Sequence, residues 1–206
     1  MHSLASKLGF SKSFGLAQIP SIRRKQHAYG LRDEDIYDFV LKRLKKVKEP
    51  FLFGINTNTT HEKTLEKGQK SFFPKDQEHL DVLYDADQAL AEFFKNFKKI
   101  DFKLPSIFVL ISDHTKFISS SRLQQYRLPF LIYSPDFKIA KRIDRPMSQR
   151  DIAPTILDLI GLAKGAGMTG KSLLRSDNPP YFAEYYHEGI LGWVQDDVLT
   201  EIDVVS

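Results

Sequence analysis

Asp113 and His114 stand side by side at the end of the apolar run Ile107-Phe108-Val109-Leu110-Ile111-Ser112. A run of this kind predicts a fully buried strand of a parallel sheet. In open α/β sheets, ligands bind just beyond the carboxyl ends of the strands. A carboxylate and an imidazole leaving such a strand together offer an oxygen and a nitrogen to one point, the donor set that holds a divalent metal. The same dipeptide elsewhere serves as a turn or helix cap beside a solvated histidine. Its meaning therefore depends on the rest of the chain.

Other chemistry-bearing residues carry less information alone. His61 follows Asn58-Thr59-Thr60 in a polar stretch and reads, by itself, as a loop histidine. Thr59 and Thr60 have hydroxyls, but no base is paired with them in the sequence, so neither is assigned as a nucleophile. Asp151 reads as a helix cap rather than a ligand. Arg127 and Arg150 read as surface cations before they read as contacts to an anionic head group. Trp193 and the C-terminal tyrosines read as packing.

The elements that must position these groups alternate. Ile36, Phe39, Val40 and Leu44 recur at helical spacing after Asp33, a candidate cap, and Pro50 closes that segment. Phe51 to Thr57 predicts a second buried strand, and residues 63–76 a polar loop. Leu80, Leu83, Tyr84, Ala86, Leu90, Phe93, Phe94 and Phe97 predict an amphipathic helix from Glu78 to Lys98. Pro129 to Ser134 predicts a third strand. Ser148 to Gly161 predicts a helix with Pro154 in its first turn and Gly161 at C′. Residues 1–30 read as irregular connection, and residues 175–206 as a small β subregion of hairpin strands. Strands alternating with helices predict an α/β fold with a mostly parallel sheet flanked by helices.

Composition narrows the classes. The chain has 206 residues, 42% hydrophobic and 27% charged, with net charge +4. Its acidic and basic residues are interleaved. That mild balance does not argue for nucleic acid and suits an anionic substrate. With no cysteine, disulfides, cysteine-ligated zinc and thiol catalysis are excluded. No stretch of the sequence approaches 18 apolar residues, the length of a membrane span. Residues 1–10 lack the basic and apolar regions of a signal peptide.

Taken in order, three blocks resemble one family. They are a strand running from Phe51 into Asn58-Thr59-Thr60-His61, then Ser112-Asp113-His114, then Ser148-Gln149-Arg150-Asp151-Ile152-Ala153-Pro154-Thr155-Ile156-Leu157-Asp158-Leu159-Ile160-Gly161 followed by Gly170-Lys171-Ser172-Leu173-Leu174. Leu8-Gly9-Phe10 and Tyr29-Gly30-Leu31-Arg32-Asp33-Glu34 fit the segment that precedes them. The chain resembles the sulfatase-like branch of the alkaline phosphatase superfamily, nearest to the lipoteichoic acid synthase and phosphoglycerol transferase group. The resemblance covers nearly the whole chain and weakens after Leu174. It implies an alkaline phosphatase-like α/β fold of which residues 1–206 are the C-terminal part of one catalytic domain.

That resemblance implies a chemistry. One divalent metal ion, manganese or zinc, sits beside a Thr or Ser nucleophile that attacks phosphorus, or sulfur in true sulfatases. Asp113 and His114 match two metal ligands, and His61 matches a histidine that contacts the substrate phosphate. No residue here matches the nucleophile, expected upstream with a further acidic ligand and, beyond it, a membrane anchor. The expected activity is transfer or hydrolysis of a phosphoglycerol or phosphoethanolamine group. Its substrate would be an anionic ester of a lipid head group or cell-surface glycan, at the extracytoplasmic face of the cell membrane. The alternatives are a sulfuric ester hydrolase and a non-catalytic remnant or partner-binding fragment. Adjacent Asp and His favour the transferase group over sulfatases, where the pair is often Asp-Asn. One departure stands out: the family's Gly after Ser-Asp-His is Thr115.

Overall fold

The computed structural model describes residues 2–19, 30–62, 65, 69–115, 121–137, 141–175, 181–196 and 198–205. The chain divides into two compact units, Met1–Pro105 and Ser106–Ser206.

The first unit is helical. Helix α1 spans His2–Lys7, within the segment expected to be irregular, α2 spans Asp33–Leu44 and α3 spans Glu78–Phe97. Single 3-10 turns lie at Thr59–His61 and Lys75–Gln77. Apolar residues at helical spacing turn α2 and α3 toward each other. Ile36, Tyr37, Val40, Leu41 and Leu44 are buried on α2, and Val82, Ala89, Phe93 and Phe97 on α3. The Tyr37 and Phe93 rings lie 4.8 Å apart, and Phe97 stacks on Phe102 at 5.2 Å. Each buried Val, Leu, Ile or Phe among these stabilises the unit by about 1.5–3 kcal/mol.

Phe51 to Thr57 does not form the expected strand. The segment joins no ladder among the described residues, and Leu52 is 79% exposed. An apolar run favours burial, but a strand also needs a neighbouring backbone to take its N–H and C=O groups. Here Phe51 packs on Phe53 and Phe102 instead.

The second unit carries the strands. β1 (Phe108–Ile111) pairs with β2 (Phe130–Tyr133), and the one-turn helix α4 (Arg122–Gln125) lies between them in sequence. A 3-10 turn at Gln149–Asp151 runs into α5 (Ile152–Leu159). β3 (Phe182–His187), β4 (Ile190–Gln195) and β5 (Val198–Asp203) form a meander.

Helices and sheets together give the α/β class expected. The direction of pairing differs from expectation, because every ladder among the described residues is antiparallel. Hydrophobic runs specify which strands are buried, not which way their neighbours run. β1 is also only half-buried, with Ile111 exposed at its end.

Candidate functional site

The turn after β1 is built by its own side chains. The Ser112 hydroxyl donates to the His114 carbonyl at 2.7 Å, and the His114 N–H donates to Asp113 Oδ1 at 2.9 Å. His114 Nδ1 lies 2.8 Å from the Thr115 carbonyl. A carbonyl only accepts, so this contact assigns a proton to Nδ1, and in the neutral ring Nε2 is then the acceptor nitrogen. Metal-ligating histidines are oriented in this manner, through the ring nitrogen that does not bind.

His114 Nε2 lies 3.6 Å from Asp113 Oδ2, with both side chains largely exposed. Two ligand atoms on a tetrahedral ion sit roughly 3.3–3.6 Å apart at ordinary bond lengths. The pair thus fits two neighbouring positions of a coordination sphere. No three His, Asp or Glu side chains come together as a metal cluster among the described residues. Thr115 also fits its place: its hydroxyl donates to the Gln125 carbonyl at 2.5 Å. Its backbone is not left-handed; among the described non-glycine residues only Glu188 and Asp196 have positive φ.

A second segment reaches this turn. The Gln149 side-chain amide donates to the carbonyls of Ser112 at 3.0 Å and Asp113 at 3.2 Å. Gln149 opens the 3-10 turn before α5, so the long motif is tied to the Asp-His turn. Nothing in the sequence marked Gln149 beyond its place in that motif.

The motif itself is held by a clasp. Ser148 is the N-cap of the 3-10 turn; Asp151 stands at the N-cap of α5 without a side-chain cap bond and is also the acid three residues after Ser148, whose N–H its carboxylate takes at 2.9 Å. Its other oxygen takes the Lys171 N–H at 2.7 Å. One turn later Thr155 donates to the Asp151 carbonyl and accepts from the Leu173 N–H. Asp158 then takes the Ser172 hydroxyl and the Arg175 guanidinium. Asp151, Thr155 and Asp158 thus present one helical face to residues 171–175. Gly170 must pass the Arg150 carbonyl so closely that an added Cβ would overlap it. Gly161 ends the helix with φ +73°, and the bonds Leu162 N–H to Leu157 and Gly161 N–H to Asp158 complete a Schellman cap.

His61 lies in the first unit, exposed at the end of the 3-10 turn. The turn is pinned to the start of α2. Asp33 Oδ1 takes the N–H groups of Asn58 at 2.6 Å and Thr59 at 3.0 Å. Asp33 therefore does not cap α2; Arg32 occupies the cap position without a side-chain bond, and the Asp33 carboxylate turns outward to the loop. Thr59 is buried and engaged in this bonding rather than presented.

The remaining candidates are structural in their contacts. Arg150 pairs with Glu184 at 3.1 Å and lies over the Phe182 ring. Trp193 stacks on the same ring at 3.7 Å, and Tyr126 stacks on Tyr185 at 3.8 Å. Arg127 is exposed.

A family model described as Sulfatase matches residues 2–162. The chain is 25% identical over 182 residues to the lipoteichoic acid synthase-like protein YvgJ of Bacillus subtilis (strain 168), covering 75% of this chain and 29% of that protein. It is 23% identical over 195 residues to lipoteichoic acid synthase 2 of the same organism, covering 82% and 30%. The chain thus spans less than a third of these curated relatives. It also matches the crystal structure of a protein in the alkaline phosphatase superfamily from Vibrio parahaemolyticus. That match has a TM-score of 0.77 at 23% identity and covers 92% of this chain and 48% of the other. The fold is the alkaline phosphatase-like α/β fold that the resemblance implies.

Proposed function

The chain belongs to the sulfatase family, and from that premise we propose that it is the C-terminal part of a metal-dependent phosphoryl-group transferase or hydrolase. The observation that carries this reading is the Asp113-His114 turn, where a carboxylate oxygen and the acceptor nitrogen of an oriented imidazole face each other at 3.6 Å. Asp113 and His114 would hold one divalent ion, manganese or zinc. When bound, that ion neutralises charge on the group being transferred. His61 would contact the substrate phosphate and carry a proton to the leaving group near neutral pH.

The relatives named as lipoteichoic acid synthases support a phosphoglycerol substrate, with phosphoethanolamine in the same class. The acceptor or donor would be a lipid or cell-surface glycan at the extracytoplasmic face of the membrane. No helix among the described residues is long and apolar enough to cross a membrane. The name of the family model favours one second reading, a sulfate ester as substrate.

The test expresses this chain joined to the polypeptide encoded immediately upstream and measures hydrolysis of bis(4-nitrophenyl) phosphate with manganese. Metal-dependent turnover that Asp113→Ala lowers by about 10²-fold or more supports the proposal. Turnover of 4-nitrophenyl sulfate in its place makes the protein a sulfatase. Absence of turnover on both esters makes it a non-catalytic fragment.

A further inference from the structure

We propose that Gln149 is the positioning residue for the Asp113-His114 pair, an inference that rests on the metal-binding reading of that pair. Three observations lead to it. First, the side-chain amide of Gln149 meets two consecutive carbonyls, those of Ser112 and Asp113. A primary amide has two N–H groups, so one side chain holds both peptide planes flanking the Asp113 Cα. Those planes set the direction in which the Asp113 side chain leaves the backbone and the point from which His114 starts.

Second, four further bonds within the turn have short reach in sequence. Ser112 to His114, His114 to Asp113 and His114 to Thr115 all span two residues or fewer, and Thr115 to Gln125 spans ten. Bonds of that reach shape the turn itself. Gln149 reaches it from 36 and 37 residues away.

Third, the residue that reaches is itself anchored. Gln149 lies between Ser148 and Arg150, beside Asp151. Asp151 bonds Ser148 and Lys171, Ser148 bonds Glu184, and Arg150 pairs with Glu184. A ligand-bearing turn exposed to solvent is thus held by an amide mounted on a fixed base. Supports of this kind, one step behind the ligands, commonly change metal affinity 10- to 100-fold when removed. The bonds themselves are exposed, so their loss should leave the stability of the unit nearly unchanged.

The experiment titrates the chain joined to the polypeptide encoded immediately upstream, which would carry the further acidic ligand, with Mn²⁺ and follows the free ion by electron paramagnetic resonance. Gln149→Met keeps the length of the side chain and removes both donors. Gln149→Lys restores N–H donors on a side chain one bond longer. Asp113→Ala removes a proposed ligand. The expected result is binding by the unaltered chain that Gln149→Met weakens about 10-fold and Gln149→Lys largely recovers. The melting temperature of metal-free Gln149→Met should stay within about 2 °C of the parent. If Asp113→Ala abolishes binding while Gln149→Met binds like the parent, the positioning role is overturned and the metal pair stands. A melting temperature lowered well beyond that margin overturns it too, by making Gln149 a stability residue. If the parent binds Mn²⁺ no better than Asp113→Ala, the metal reading and this inference fall together.

Discussion

The N–H of Asp33 donates to Thr59 Oγ1 at 3.1 Å, and a carboxylate oxygen of Asp33 takes the N–H of Thr59 in return at 3.0 Å. Both residues are almost fully buried. This closed exchange joins the start of α2 to the 3-10 turn that ends in His61, across 26 residues of sequence. A buried carboxylate that accepts two N–H groups is a stronger tie than a neutral bond.

Asp33→Ala leaves the N–H groups of Asn58 and Thr59 without their acceptor inside the protein. The expected cost is about 2–4 kcal/mol in denaturant unfolding, from lost charge-assisted bonds and stranded donors. Asp33→Asn keeps an acceptor oxygen at the same place and should cost less than half as much. Equal losses in the two variants would show that the negative charge, not the acceptor geometry, holds the turn.

Gly170→Ala places a methyl group onto the Arg150 carbonyl, a backbone atom that cannot swing aside. The expected loss is about 3 kcal/mol, at the upper end for overpacking because the clasp itself must open. Gly167→Ala is the control, since an added Cβ there meets nothing within 4 Å. Thermal unfolding of the two variants side by side measures the difference.

This clasp shows how far the sequence could be read. Helix α3 was legible because eight apolar residues repeat at its period, and the C′ position of Gly161 because a glycine ends an apolar helix pattern. Those signals are local. Asp151 stands at the N-cap position of α5 as expected, but its carboxylate reaches back to Ser148 as the acid of a capping box, a role the local pattern does not separate from a simple cap. The antiparallel partner of β1, the unpaired run at Phe51 and the reach of Gln149 depend on what tertiary structure brings alongside. No spacing within the chain encodes a bond across 37 residues. Asp113 and His114 were legible as adjacent oxygen and nitrogen donors after a strand, whereas the proton on His114 Nδ1 follows only from the Thr115 carbonyl.

Two carboxyls should make stability fall in acid. At Asp81, burial pushes the pKa up, but the N–H groups of Phe72 and Phe73 and the Ser71 hydroxyl together hold it below the ordinary value. At Asp158, bonds from Arg175 and then Ser172 outweigh burial in the same direction. With folded values below unfolded ones, the unfolded chain takes up protons first as pH drops. Stability present above about pH 4, the ordinary Asp range, is therefore lost as pH falls through the lower folded values. Unfolding midpoints measured from pH 6 downward should decline in that window, and Asp158→Asn should flatten part of the decline.

Tyr37 sets the opposite limit. Burial, and after it the negative charge of Asp33, pushes its phenol from 10.0 up to about 12. A folded value above the unfolded one gives stability that is complete below pH 10 and lost as pH rises toward 12. Two units correspond to roughly 3 kcal/mol. Tyr37→Phe should remove this alkaline loss, and Asp33→Asn should reduce it by removing the nearby charge. An alkaline profile unchanged in Tyr37→Phe would assign the loss to other groups.

His61 can be tested by its leaving group. If it carries a proton to the departing oxygen, it matters most where that oxygen leaves as a poorly stabilised alkoxide, as from a glycerol ester. A nitrophenolate departs without help. His61→Gln, in the chain joined to its upstream polypeptide, should slow a glycerol phosphodiester by about 10²–10⁴-fold and a nitrophenyl ester far less. Equal slowing of both esters would place His61 on the phosphate as a binding contact. Equal retention of both would leave the Asp33–Thr59 exchange holding a turn with no part in the chemistry.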